Sequence, residues 1–98
     1  MPDRAYYAYI LASGRYGTLY IGVSSDLINR TWQHREGFVE GFAKRYNVKQ
    51  LVWYEIHNDV QAAIVREKQI KKRNRSWKIR LIQERNPQWR DLCDELMG

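Results

Sequence analysis

One carboxylate interrupts the apolar side of a helix that the sequence predicts over residues 60–72. The positions at helical spacing on that side are Val60, Ala63 or Ile64, Glu67 and Ile70. Burying a carboxylate without a partner is costly, so Glu67 should accept hydrogen bonds, pair with a base or bind a cation. The simpler alternative is an ordinary ion pair with one of the neighbouring bases, Arg66, Lys68 or Lys71.

Arg30 and His34 lie one helical turn apart on an earlier predicted helix that runs to about Arg35. A guanidinium donates strongly to a phosphate oxygen or to a developing oxyanion. The two side chains therefore suit a phosphate site if they face the rest of the fold. A solvated helix face is the alternative for this pair taken alone.

Tyr9 and Tyr20 fall on two consecutive predicted strands. If Ala12 pairs with Gly17 across the connecting loop, Tyr9 lies directly opposite Tyr20 and both hydroxyls share one face. A free phenol stays protonated at neutral pH because its ordinary pKa is about 10. A tyrosine that acts as a base needs a nearby cation such as Arg30. Core aromatic side chains are the alternative, because strands favour tyrosine.

A tract of basic residues spans the end of one predicted helix and the start of the next, interleaved with Trp77. Its members are Arg66, Lys68, Lys71, Lys72, Arg73, Arg75, Lys78 and Arg80. Such a tract can bind nucleic-acid phosphates, and the predicted contacts are Lys71, Lys72, Arg73, Arg75 and Lys78. A solvated surface and a helix-turn-helix arrangement remain alternatives.

Several chemistries lack sequence support. The chain has no P-loop, GxGxxG, nucleophile-elbow serine or HExxH motif, and no cysteine-histidine metal spacing. Cys93 is the single cysteine, so no disulfide framework exists and a reducing compartment fits. The longest apolar run, Tyr6 to Ala12, is too short for a membrane span, and no signal peptide is visible. We therefore expect a cytoplasmic protein without a membrane partner.

The elements that must position these residues follow from the apolar pattern. Strands are predicted at residues 5–12, 18–23 and 49–56. Helices are predicted from a cap at Ser24 or Ser25 to about Arg35, at 60–72 after Asn58 or Asp59, at 77–84 after Ser76, and at 89–97. Residues 36–46 are expected to form a partly packed loop. The predicted order is β-β-α-β-α-α-α, an α/β fold.

Length and charge bound the remaining possibilities. The chain has 98 residues, which suits one domain spanning residues 1–98. An apolar content of 44% and an aromatic content of 13% argue against disorder. The net charge of +6 favours a polyanionic partner, most commonly nucleic acid.

Two tripeptides and three later residues carry a family resemblance. Ala8-Tyr9-Ile10 and Tyr20-Ile21-Gly22, followed in order by Arg30, His34 and Glu67, resemble the GIY-YIG nuclease family. The likeness is to its small stand-alone bacterial members and to the nuclease domain of the UvrC subunit of excision repair. It covers nearly the whole chain.

The resemblance implies a three-stranded antiparallel sheet flanked by helices and the hydrolysis of DNA phosphodiester bonds with one divalent ion, Mg²⁺ or Mn²⁺. It also implies a role for each matching residue. Glu67 would bind the metal, Tyr20 would activate the attacking water, Arg30 would stabilise the phosphate, His34 would support the nucleophile or the phosphate, and Tyr9 is the tyrosine of the first motif.

The expected function is therefore a metal-dependent DNA endonuclease of repair or recombination. Branched and damaged DNA are both candidate substrates, and a partner protein could target the enzyme. The alternative is a non-catalytic nucleic-acid-binding module that uses the basic helices. A protein-interaction role for the region of Trp77 and Trp89 is a third possibility.

Overall fold

The computed structural model describes residues 5–36 and 45–97. Its elements, in our own labels, are β1 (Tyr6–Ala12), β2 (Leu19–Ser24), α1 (Leu27–Arg35), β3 (Gln50–His57), α2 (Val60–Lys72), α3 (Arg75–Arg85) and α4 (Cys93–Met97). The predicted order β-β-α-β-α-α-α is confirmed for the described part of the chain. Most of the loop predicted at 36–46 lies outside the described residues. None of the helices described is long and apolar enough to cross a membrane.

The three strands form one antiparallel sheet in the order β2-β1-β3, as expected. Alternate residues of β1 enter two different cores because side chains alternate along a strand. Ala8 and Ile10 pack in one core with residues of α2 and α3, including Ile70 and Ile82. The other core lies on the opposite face and contains side chains of α1, α4 and the tyrosines of the sheet; its buried members are Tyr9, Leu11, Leu27, Val48, Leu51, Tyr54 and Leu92.

The register of the first hairpin differs from the prediction. Tyr9 pairs with Gly22, and Tyr20 pairs with Leu11. The prediction was wrong because the loop is longer than expected: β1 ends at Ala12, which pairs with Leu19. The loop closes through its own hydrogen bond, from the amide of residue 13 to the carbonyl of residue 18 at 3.0 Å. Since the shift is two residues, both tyrosines still lie on one face.

Three helices begin after an Asp or Asn whose side chain accepts a hydrogen bond from an amide of the helix, and none of the three begins after a predicted serine cap. Asp26 caps α1 by accepting from the amide of Asn29 at 3.3 Å, so the cap predicted at Ser24 or Ser25 was wrong. Asn74 caps α3 by accepting from the amide of Trp77 at 2.9 Å. The predicted cap at Ser76 and helix start at residue 77 were therefore too late. The alternative cap at Asp59 is confirmed for α2.

The terminal helix is shorter than the predicted 89–97. Trp89 has a φ of 57°, in the left-handed region, and a helix cannot begin through that conformation. The Trp89 side chain is instead buried in the core that α2 and α3 share with the sheet. The chain then returns to β3, where the amide of Leu92 donates to the carbonyl of Leu51 at 2.7 Å. Only residues 93–97 are helical in this segment.

Candidate active site

Two tyrosines and a histidine lie together on the sheet face covered by α1. The ring centroids of Tyr9 and Tyr20 are 6.4 Å apart, and those of Tyr20 and His34 are 5.4 Å apart. Tyr9 is 1% exposed, whereas Tyr20 is half-buried. Two residues of the hairpin and one of α1, distant in the chain, are therefore brought into one cluster.

Gly22 makes room for Tyr9 in this cluster. A Cβ at Gly22 would lie 2.6 Å from the hydroxyl oxygen of Tyr9 and 2.7 Å from its Cζ. The Tyr9 side chain therefore crosses the backbone of edge strand β2 at its glycine. Gly22 marks a special backbone site in the sequence, and the hairpin register reveals the contact that requires it.

Arg30 links the two tyrosines. It projects from α1, and hydrogen bonding with Tyr9 raises the pKa of Arg30, with a further contribution from the Tyr20 hydroxyl. Burial raises the pKa of Tyr9, while hydrogen bonding with Arg30 opposes that shift. Arg30 therefore places a positive charge beside both phenols, and Tyr9 is protonated at neutral pH.

His34 is buried beside Tyr20 as a neutral imidazole. Its residue is 4% exposed, and burial lowers its pKa, with the positive charge of Arg30 adding to the effect. Among the residues that the structure describes, no hydrogen-bond partner lies against its Nε2 atom. The predicted pairing of Arg30 and His34 on an inward helix face is thus observed.

Glu67 approaches the cluster from α2. Ala63 and Ile70 anchor this helix because both are fully buried. The Glu67 side chain is 16% exposed, and its negative charge acts on the hydroxyl of Tyr9. It also pairs with Lys71, with Nζ 3.2 Å from Oε1. Glu67 therefore has the helical ion pair that was the simpler alternative, and its charge also reaches the hydroxyl of Tyr9.

The donor set around Glu67 suits one kind of metal ion. In the ranges 5–36 and 45–97, no three His, Cys, Asp or Glu side chains converge on one point. A dedicated cage of protein ligands is therefore not formed by these residues. Mg²⁺ and Mn²⁺ need less, because a hydrated ion can be held by one carboxylate, waters and substrate phosphate oxygens. A single, mostly buried carboxylate fits that requirement.

The five residues predicted to contact nucleic acid differ in their exposure to solvent and in their neighbours. Lys72 is exposed, and Arg73 lies over the ring of Trp77 at 5.2 Å. Lys71 is exposed beside Glu67, and Lys78 is half-buried. Arg75 instead reaches the hairpin loop, where it donates to the carbonyl of Gly17 at 2.7 Å. Arg75 thus fastens the loop to α3, a contact between residues far apart in the chain.

Comparison with known proteins identifies the family of this chain. The model of the GIY-YIG catalytic domain matches residues 5–80, which include both tripeptide motifs and Arg30, His34 and Glu67. The chain belongs to the GIY-YIG family. GIY-YIG domains define a nuclease family, so this membership supports the resemblance seen in the motifs.

Relatives of this GIY-YIG chain include small UPF0213 proteins. That of Pediococcus pentosaceus is 33% identical over 79 residues, covering 81% of this chain and 82% of the relative. That of Staphylococcus aureus is 35% identical over 69 residues, covering 70% and 84%. The solution NMR structure of a UPF0213 protein from Bacillus halodurans superposes with a TM-score of 0.56 at 22% identity, covering 89% and 92%, which shows a shared fold.

Proposed function

We propose that this protein is a divalent-metal-dependent endonuclease that hydrolyses DNA phosphodiester bonds. The observation that carries the proposal is the single cluster of Tyr9, Tyr20, Arg30, His34 and Glu67. Hydrolysis needs an acceptor for the proton of water and positive charge at the phosphate oxygens. The cluster holds both kinds of group within one small region.

Tyr20 is the proposed proton acceptor. It is less buried than Tyr9, so water and substrate reach it more readily. The guanidinium of Arg30 interacts with its hydroxyl, and a neighbouring cation is what a tyrosine that acts as a base needs. The phenolate oxygen then takes a proton as the water oxygen bonds to phosphorus. The bond from phosphorus to the leaving oxygen breaks in the same displacement.

Tyr9 holds Arg30 in place. Burial keeps its hydroxyl protonated, and its hydrogen bonding with Arg30 fixes the guanidinium on this face of the sheet. A fixed cation stabilises the charge that develops on the phosphate oxygens without first having to reorganise. Two tyrosines in different environments can therefore take different roles.

His34 and Glu67 complete the proposed site. The neutral imidazole of His34 packs beside the ring of Tyr20, where it would support the proposed nucleophile by positioning that tyrosine. Glu67 would hold the divalent ion through its carboxylate. When bound, that ion supplies positive charge to the phosphate and the leaving oxygen.

Several finer points stay predictions from the sequence. They are a single nuclease-like domain over residues 1–98, a cytoplasmic location, a role in DNA repair or recombination, branched or damaged DNA as substrate, and a targeting protein partner. Lys71, Lys72, Arg73 and Lys78 support nucleic acid as the ligand because they add positive charge along α2 and α3.

The test is cleavage of labelled single-stranded, duplex, flap and four-way-junction DNA with Mg²⁺ or Mn²⁺. We expect cleavage of at least one substrate, and its loss in EDTA or in Tyr20→Phe, which removes only a hydroxyl. Binding of DNA that depends on salt, without cleavage of any substrate, would instead support a binding module. Cleavage that persists in EDTA would contradict the role of the metal.

A further inference from the structure

Lys71 occupies the exposed side of the Glu67 carboxylate. Its Nζ lies 3.2 Å from Oε1, and the lysine side chain is 55% exposed while that of Glu67 is 16% exposed. Arg66, another basic neighbour of Glu67, is engaged elsewhere, at 3.1 Å from Glu55. The ion pair thus joins a mostly buried anion to a cation whose head reaches solvent.

We propose that Lys71 is a resident counterion of the metal site, which competes with the divalent ion for Glu67. The inference rests on the proposed function, because it takes Glu67 as the metal ligand. One neighbouring cation stabilises the charge of a mostly buried carboxylate, but a second cation beside the first is repelled by it. A divalent ion that binds Glu67 must therefore displace the ammonium or accept its repulsion.

The lysine side chain suits this role. Its four-carbon stem is flexible and its ammonium is strongly hydrated, so leaving Glu67 for solvent costs little. A bidentate arginine at this position would be held more firmly. The site therefore has a neutralised carboxylate before metal arrives, and binding of metal alone is weakened.

Lys72 provides a matched control. It is the next residue of α2, exposed, and forms no ion pair with any residue of the described segments. Lys71→Gln and Lys72→Gln remove the same charge from adjacent positions, so they change the long-range field almost equally. A difference between them isolates the contact with Glu67.

The experiment titrates the protein with Mn²⁺ in the absence of DNA. The electron paramagnetic resonance signal of the free ion reports how much Mn²⁺ is bound. We expect Lys71→Gln to bind Mn²⁺ roughly threefold more tightly than the wild-type protein. Lys72→Gln should stay close to wild type. Equal tightening in both variants, or unchanged or weaker binding in Lys71→Gln, would overturn the proposal.

Glu67→Gln separates this inference from the proposed function. If Glu67→Gln loses the Mn²⁺ site while Lys71→Gln behaves as wild type, the role of Lys71 fails and that of Glu67 stands. If Glu67→Gln binds Mn²⁺ as the wild type does, Glu67 is not the ligand and both fail. Thermal melting of each variant checks that the fold is retained.

Discussion

The two tyrosines of the cluster differ in burial although both interact with the same arginine. Tyr9 is almost fully enclosed, which raises its pKa, and its ring crosses a backbone that carries no side chain at Gly22. Tyr20 is half-buried beside His34. At the scale of single residues, the site therefore depends on how closely Tyr9 can approach β2.

Gly22→Ala tests that approach. The new methyl group would lie 2.6 Å from the Tyr9 hydroxyl oxygen, so Tyr9 must move and its hydrogen bonding with Arg30 should be lost. We expect a loss of about 1–3 kcal/mol in the free energy of unfolding and reduced cleavage. Urea unfolding and the cleavage assay measure the two effects.

Gly14→Ala is the matched control, because a Cβ at Gly14 would have no neighbouring atom within 4 Å. This variant should keep both stability and activity. Equal behaviour of the two alanine variants would refute the close approach of Tyr9 to β2.

His34 predicts a pH dependence of stability. Burial and Arg30 lower its pKa in the folded protein, whereas in the unfolded chain the ordinary value is about 6.5. Below about that pH the unfolded state takes up a proton that the folded state resists, so folding stability falls as pH decreases. His34→Gln should remove this part of the decline between about pH 7 and 5. If the free energy of unfolding changes with pH equally in the wild-type protein and in His34→Gln, the prediction is contradicted.

At the scale of elements, some features were predictable and others were not. The order of strands and helices follows from apolar periodicity, and the Asp59 cap from its position before α2. The hairpin register was not predictable, because loop length sets it and the loop is closed by hydrogen bonds between Ser13 and Thr18 that the sequence does not indicate. The late start of α4 was not predicted because Trp89 adopts a positive φ, which the neighbouring sequence does not indicate.

Asn86 joins the end of α3 to β3 and to the segment that precedes α4. Its buried side chain donates to the carbonyls of Val52 at 3.1 Å and Arg90 at 2.8 Å, and accepts from the amide of Arg90 at 3.0 Å. Asn86→Ala leaves these buried groups unpaired, so we expect a loss of about 2–4 kcal/mol in the free energy of unfolding.

Asn74→Ala is the comparison for Asn86→Ala, because it removes the exposed cap of α3 and should cost about 1 kcal/mol. Thermal or urea unfolding measures both variants. A loss for Asn86→Ala no larger than that for Asn74→Ala would contradict the role assigned to this buried amide.

For the whole molecule, the sheet separates two cores and the site draws on both sides. α1 supplies Arg30 and His34 from one face, and α2, which packs on the other, supplies Glu67. The five cluster residues could be named from the sequence because motif residues keep their order. The pairing of Glu67 with Lys71 could have been chosen over Arg66 and Lys68, since only the i,i+4 spacing shares a helix face.

Contacts between residues far apart in the chain could not be predicted from the sequence. Arg75 lies in a basic tract, and nothing local indicates that it fastens the carbonyls of Tyr16 and Gly17. The closeness of Gly22 to Tyr9 likewise depends on a register that the loop decides. The sequence therefore predicts which groups lie together in the candidate site better than which groups hold them in place.

The most direct measurement is the rate of metal-dependent DNA cleavage by Glu67→Gln, compared with Glu84→Gln. Both variants exchange a carboxylate for an amide of the same shape, but Glu84 is an exposed residue of α3. We predict that Glu67→Gln lowers the cleavage rate about 100-fold or more, whereas Glu84→Gln cleaves at the wild-type rate. Both variants should remain folded. Cleavage by Glu67→Gln at the wild-type rate would contradict the proposed nuclease site.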